Sequence, residues 1–321
     1  MPEQSEMSDP MSRPRYTGIP TFMRTAYCDT LADIDIGLVG VPFDGGVTNR
    51  TGARHGPREI RNQSSLMRRI NQATGLSPHE CGLAIADIGD AWVHSPFALE
   101  SSLQEIETFF RSVHEANVIP VSAGGDHSIT LPIFRAIARE RSVGMVHFDA
   151  HCDTGDDYLG SKFHHGAPFR RAVEEGLLDP ERTIQIGIRG GLNDAEQWQF
   201  SHDTGMRVIY MEELYERGVK EIIAEAREIV GDGPTYVSFD VDGLDPVYAP
   251  GTGTPEIGGF SSLEAQLMVR GLEGLNLIGG DVVEVSPPFD PSGNTALVGA
   301  TMMFEILCVV SDAVAARRGA R

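Results

Sequence analysis

Short apolar, β-branched runs alternate with longer amphipathic stretches along almost the whole chain. The runs fall at 34–41 (IDIGLVGV), 83–88, 118–122, 143–148, 183–188, 236–241 and 277–285. Most carry hydrophobic residues on both faces, as strands buried in a parallel sheet must. Between them, the helical period predicts helices over 103–115, 220–230 and 262–272. The last opens with Ser261-Ser262-Leu263-Glu264, a capping box. The stretch 298–316 reads as one long helix. Such alternation predicts an α/β fold with a mainly parallel sheet. No linker, low-complexity tract or fixed-period repeat interrupts it, so a single domain is expected over 19–321. The polar start, 1–18, has no apolar core and reads as a poorly ordered arm rather than a secretory signal.

Composition narrows the partners. A formal net charge of −20, with only Lys162 and Lys220 as lysines, repels phosphate backbones, so nucleic acid is not an expected partner. No stretch reaches the roughly 18 to 20 apolar residues of a membrane span, so no membrane is expected either. Cys28, Cys81, Cys152 and Cys308 are widely separated and form no CxxC pair. That spacing argues against a disulfide framework or a thiolate zinc site, and fits a cytoplasmic protein.

Three acidic motifs follow predicted strands. In Gly124-Gly125-Asp126-His127 the paired glycines allow a sharp turn, which would project His127 from the carboxyl edge of the sheet. In VHFDAHCDT, Asp149, His151 and Asp153 recur every second residue, so an extended backbone points all three to one face. His147 falls on the same face within the strand and reads as a packed core histidine. In VSFDVDGLDP, Asp240 and Asp242 again share a face, while Asp245 before Pro246 reads as a turn cap. Desolvating so many ionisable groups is costly unless a metal offsets it. Two histidines and four aspartates suit two divalent ions, manganese first, with nickel, cobalt or iron as competitors. They do not suit calcium or a thiolate zinc site.

GGDH, DAHCD and SFDVDGLDP, in this order, resemble the signature of the ureohydrolases, the family of arginase, agmatinase and the guanidinoalkanoate amidinohydrolases. The likeness extends from about Ile19 to the last helix and includes GVTNRTGARHGPREIR, PGTGTPEIGG and EVSPPFD. IPTFMR and SSLMRRI look most like the guanidinopropionase and guanidinobutyrase branch. The resemblance implies a three-layer α/β/α sandwich around an eight-stranded, mainly parallel sheet, and a homo-oligomer, trimer or hexamer. It implies one metal on His127, Asp149, Asp153 and Asp240, and another on Asp149, His151, Asp240 and Asp242. Water activated by these metals would attack a guanidino carbon and release urea and an amine. Glu284, matching the family's EVSP glutamate, would hold the guanidinium, and His165 in HHGAPF would shuttle a proton to the leaving nitrogen. Asp153 would also accept a hydrogen bond from the attacking hydroxide.

Thr154, Tyr158 and His164 are assigned to the substrate tail, with Tyr158 shortening the pocket and His164 lining its entrance. Gly155 departs from the Asn that guanidino-acid relatives often carry. Acids Asp156 and Asp157, if turned inward, would disfavour a carboxylate tail. Cys152, between two ligands, reads as core packing, and Arg50, Arg54, Arg58 and Arg61 read as structural. The leading substrate is 3-guanidinopropionate, followed by 4-guanidinobutyrate and agmatine. Guanidine or a metformin-like biguanide, with nickel, is a further alternative. Outside this class stand a non-catalytic ureohydrolase-like subunit supporting a paralogous partner and a binuclear phosphoesterase. Loss of a ligand would favour the former; the acidic surroundings speak against the latter.

Overall fold

A computed structural model describes residues 13–194 and 196–319. Of the expected N-terminal arm, residues 1–12 lie outside the described residues, and 13–18 form turns at the surface. Eight strands build one sheet: β1 (Ile36–Val41), β2 (Ile85–Asp90), β3 (Ile119–Gly124), β4 (Val143–Phe148), β5 (Leu178–Ile188), β6 (Arg207–Tyr210), β7 (Thr235–Asp240) and β8 (Leu277–Val283). Their order is β2-β1-β3-β8-β7-β4-β5-β6, and every neighbouring pair is parallel. The apolar runs of the sequence account for all of these except β6. That strand is an edge strand of four residues, RVIY, too short and too polar at its ends to stand out.

The helices are α1 (Gly56–Ser64), α2 (Leu99–Glu115), α3 (Thr130–Ile137), α4 (Pro168–Glu174), α5 (Gln199–Thr204), α6 (Met211–Arg217), α7 (Val219–Val230), α8 (Ser262–Arg270) and α9 (Asn294–Arg318). They form two layers. On one face α9 packs on β8 and against α1 and α8, with α7 beside α8; on the other α3 lies between α2 and α4. The pleat explains why two cores are needed. In β1, Ile36 and Leu38 join the first apolar cluster while Val39 and Val41 join the second; in β4, Val146 and Phe148 divide from Val143 and Met145 in the same way. The fold is thus the three-layer α/β/α sandwich that the resemblance implied.

The sequence contains no obvious span, yet α9 is, by length and composition, apolar enough to cross a membrane. Most of that stretch is buried inside the fold, from Thr295 to Ala315. It is apolar on all sides because it packs against the sheet, α1 and α8 together.

Candidate metal centre

The strand order places β3, β8, β7 and β4 side by side at the middle of the sheet. Each ends in ionisable residues: His127 just after β3, Glu284 after β8, Asp240 and Asp242 at the end of β7, and Asp149, His151 and Asp153 after β4. The turn after β3 is tight. A Cβ at Gly125 would lie 1.9 Å from the Phe43 carbonyl, so no other residue fits there. Asp126 then caps a short 3-10 turn by accepting the Ser128 backbone N–H, which fixes where His127 points.

All six predicted ligands come together. His127 Nδ1 stands 3.2 Å from Asp149, 3.0 Å from Asp153 and 3.3 Å from Asp240, in each case from Oδ2. Despite this ring of carboxylates, His127 Nδ1 is buried and has no hydrogen-bond partner among the described residues. A ring nitrogen aimed at a point shared by three carboxylates, without bonding any, has the disposition of a metal ligand. Asp149 reaches the other way with Oδ1, 3.4 Å from His151 Nδ1, and Asp242 Oδ2 lies 3.2 Å from the same nitrogen. Asp149 therefore sits between the two histidines, one oxygen toward each. Asp240 turns Oδ2 toward His127, while its Oδ1 accepts the Asp242 backbone N–H at 2.8 Å.

The electrostatics favour a bound cation. Burial, then Asp242 and Asp149, push the Asp240 carboxyl well above the usual carboxylate range. Burial and Asp149 likewise bring Asp242 up to about 6. Burial pulls the His127 imidazolium down, but Asp149, Asp153 and Asp240 together hold it well above the ordinary histidine range. Four carboxylates crowded at 0–9% side-chain exposure cannot all ionise without positive charge among them. Imidazole nitrogens and hard carboxylate oxygens in this number fit divalent transition metals.

Behind the ligands, one rung into the sheet, runs a row of buried polar residues that the sequence reading did not foresee. Ser122, Asp281, Ser238, His147 and Gln185 lie opposite one another across β3, β8, β7, β4 and β5. His127 Nε2 is 2.8 Å from Ser238 Oγ, and Ser238 Oγ donates to Asp281 Oδ1 at 2.8 Å. Asp281 Oδ2 in turn accepts Thr130 Oγ1–H at 2.8 Å and Tyr236 O–H at 3.0 Å. His147 is a core residue, packed on Phe169 as expected, but its Nε2 also lies 2.8 Å from Asp149 Oδ2. Such outer partners fix ring orientation and the tautomer that a metal needs. The signal was present: Ser238 and His147 stand two residues before Asp240 and Asp149, hence on the same face.

The centre opens into a cavity of about 880 Å³. His151, Asp153, Asp240 and Asp242 form its floor, and Thr154, Tyr158, His164 and His165 stand on its walls with Trp198 and Arg170. His165 Nδ1 lies 2.9 Å from Glu284 Oε1, and its Nε2 lies 2.8 Å from Thr48 Oγ1. Burial disfavours the His165 imidazolium, but Glu284, then Asp126 and Asp153, outweigh that and raise it to about 9. Glu284 itself is 1% exposed and does not line the cavity. Its Oε1 also accepts the His127 backbone N–H at 2.9 Å, whereas Oε2 is buried and without a partner among the described residues. Asp153 and Glu284 both hold φ above zero, at 52° and 64°. Non-glycine residues seldom adopt this conformation, and it is found disproportionately at working sites.

On the tail side, Asp156 and Asp157 both line the cavity, and their charges are partly engaged. Asp156 pairs with Arg171 at 2.9 Å and Arg170 at 3.2 Å, and Asp157 accepts the Gly160 N–H in a turn. A Cβ at Gly155 would come 2.8 Å from the Gly166 carbonyl and 3.2 Å from His164, so a side chain there would force the loop apart. Thr154 Oγ1 is tied to Ser201 Oγ at 3.0 Å, and His164 Nε2 donates to the Asp156 carbonyl at 3.0 Å. Cys152 is fully buried in a small apolar cluster with Ile188, Trp198 and Val208, and burial raises its thiol far above the ordinary range. Asp245 accepts the backbone N–H groups of Val247 and Gly258 at 2.9 and 2.7 Å, as a turn cap does. Of the four arginines, Arg61 joins Asp87 and Asp90 under the Phe22 ring and Arg54 pairs with Asp44; none of the four lines the cavity.

Residues 34–309 match the arginase family. The chain is 60% identical to a guanidinopropionase of Pseudomonas aeruginosa over 94% of its own length and 95% of the relative's. It is 47% identical to a guanidinobutyrase of the same organism, over 94% and 95%. Among solved structures, the proclavaminate amidino hydrolase of Streptomyces clavuligerus superimposes with a TM-score of 0.90 at 37% identity, covering 94% of this chain and 99% of that one. With the family match spanning the whole sheet and every strand-end motif, this chain belongs to the arginase family.

Proposed function

We propose that the chain is a hydrolase of guanidino acids that cleaves 3-guanidinopropionate into urea and the corresponding amino acid, with residues 19–321 working as one catalytic domain. The observation that carries this reading is the convergence of His127, Asp149, His151, Asp153, Asp240 and Asp242, four of them on the floor of a cavity that His165 also lines and the other two directly beneath. The choice of substrate is supported by the 60% identity to a guanidinopropionase and by the loop after Asp153. Asp156 and Asp157 line the cavity there, but Asp156 is paired with Arg170 and Arg171, and Arg170 itself lines the cavity and offers positive charge to a carboxylate tail.

Two divalent ions, manganese in preference to nickel, would be held by the six ligands, with Asp149 and Asp240 shared between them. When bound they would supply charge compensation for the carboxylates and lower the pKa of a water from 15.7 toward roughly 7. The chain's own residues do the rest. The family's EVSP glutamate assigns the guanidinium to Glu284; here it stands behind His165 and outside the cavity lining, with Oε2 buried and unpartnered among the described residues, so it would reach the substrate and orient its carbon only with His165 displaced. His165, raised to about 9, carries its proton at neutral pH and gives it to the departing amine nitrogen. Asp153 accepts a hydrogen bond from the attacking oxygen. Thr154, Tyr158 and His164 border the tail, Tyr158 limiting its length. The assembly is a homo-oligomer, trimer or hexamer, in the cytoplasm, where its four free cysteines stay reduced.

The test is a panel of guanidino compounds: 3-guanidinopropionate, 4-guanidinobutyrate, agmatine, guanidine and a substituted biguanide. Each is assayed for urea and amine release after separate loading with manganese or nickel. Highest kcat/KM is expected for 3-guanidinopropionate with manganese. Preference for agmatine would reject the acid-tail reading, and hydrolysis of none would leave a supporting subunit as the better account.

A further inference from the structure

His165 is enclosed in a way that constrains how its proton leaves. Nδ1 faces Glu284 Oε1 at 2.9 Å and Nε2 faces Thr48 Oγ1 at 2.8 Å, so protein atoms occupy both ring nitrogens. His165 is 7% exposed as a residue, whereas Thr48 is exposed and lines the cavity. Thr48 is held there by the loop that follows β1. Gly46 N donates to Asp126 Oδ2 at 2.7 Å, and the Gly46 carbonyl accepts the His165 backbone N–H at 2.9 Å. A Cβ on Gly46 would fall 2.8 Å from Ser128 Oγ, so the loop is seated tightly on the turn that carries His127.

The partners have different chemistry. A carboxylate only accepts, so Nδ1 keeps its hydrogen whether the ring is charged or neutral. Only Nε2 changes state, being N–H in the imidazolium and a lone pair in the neutral ring. A hydroxyl is the side-chain group that matches both, accepting from the first and donating to the second. We propose that Thr48 relays the His165 proton to the cavity. In the step, the Nε2–H bond breaks and that hydrogen joins Thr48 Oγ1. At the same time the original Oγ1–H bond breaks, and its proton joins the lone pair of the leaving amine nitrogen. His165 ends neutral, the threonine hydroxyl is regenerated, and the amine gains one proton.

The relay rests on His165 being the proton donor, and the experiment separates the two claims. Thr48→Val keeps the shape and deletes the hydroxyl. In the metal-loaded enzyme it is expected to lower kcat roughly 10- to 100-fold with KM and metal content unchanged, and Thr48→Ser is expected to restore most of the rate. The solvent isotope effect on kcat should show two protons in flight in the parent and one in the valine variant, a change that mere loosening of the loop does not produce. In metal-stripped protein, ¹⁵N spectra of His165 should show the Nε2 signal altered by Val and not by Ser. If Thr48→Val turns over at the parent rate while His165→Asn is inactive, the relay is wrong and the donor stands. If His165→Asn also turns over at the parent rate, the donor assignment has failed instead. Should Thr48→Val not fold, a slow Thr48→Ser would equally overturn the relay.

Discussion

At the residue scale, the site's behaviour follows from carboxylates placed closer together than water alone tolerates. Asp149 lies between His127 and His151 with one oxygen toward each, and also bonds His147. Asp149→Asn is therefore expected to lose both metal retention, read by elemental analysis after gel filtration, and turnover. Glu284→Gln should keep metal but lose at least about 100-fold in kcat/KM, because the amide cannot accept the guanidinium as a carboxylate does. A variant as fast as the parent would remove Glu284 from the mechanism. His165 gives a pH signature. Its pKa is about 9 in the fold against roughly 6.5 in an unfolded chain. Because the folded value is the higher one, the associated stability is complete below pH 6.5 and is lost as pH rises through 9. In metal-free protein this amounts to roughly 3 kcal/mol across that window. The melting temperature should fall between these limits, and His165→Asn should flatten the slope. Equal slopes in the two proteins would show that the ring does not gain its proton in this way.

At the element scale, the start of α8 and the strand-end turns were readable in the sequence, whereas α2 and α9 each begin four residues before the expected 103 and 298, and the helices α1, α3, α4, α5 and α6 were not foreseen. The capping box foreseen at Ser261 is present in both halves: Ser261 Oγ accepts the Glu264 N–H at 3.2 Å, and Glu264 Oε2 accepts the Ser261 N–H at 2.7 Å. Ser261→Ala should lower stability by about 1 kcal/mol without altering kcat, since α8 lies on the face away from the tail-side loop. A drop in activity at unchanged stability would mean α8 communicates with the site. The gathering of the six candidate ligands was legible for a related reason. Period-two spacing after an apolar strand puts Asp149, His151 and Asp153, and likewise Asp240 and Asp242, on one side, while the paired glycines before His127 mark its turn. Glu284's seclusion was not legible, because one residue number says nothing of how His165 folds across it. Nor was the close approach of Gly155 to Gly166 and His164 or the pairing of Asp156 with two arginines of α4, which depend on a loop closing back on itself over roughly ten to fifteen residues.

At the scale of the whole molecule, metal and fold are expected to stabilise one another. Ligands from three separated stretches meet only in the folded state, so ions that bind it shift unfolding by mass action. Manganese at 100 to 1,000 times its Kd should add roughly 3 to 4 kcal/mol, seen as a rise in melting temperature that chelation reverses. Fully active protein that contained no transition metal after chelation would overturn the entire account. The sequence by itself determined the class of fold, the strand-end positions of the ligands and the kind of chemistry. These are properties of local period, turn residues and donor type, carried within a few neighbouring residues. The tertiary structure alone decided that β8 and β7 slot between β3 and β4, bringing Asp281 and Ser238 behind His127 and Thr48 over His165. Those contacts join residues more than forty and up to about 120 positions apart. Strand order is set by how two apolar faces bury together, a cooperative choice that no short stretch of chain encodes.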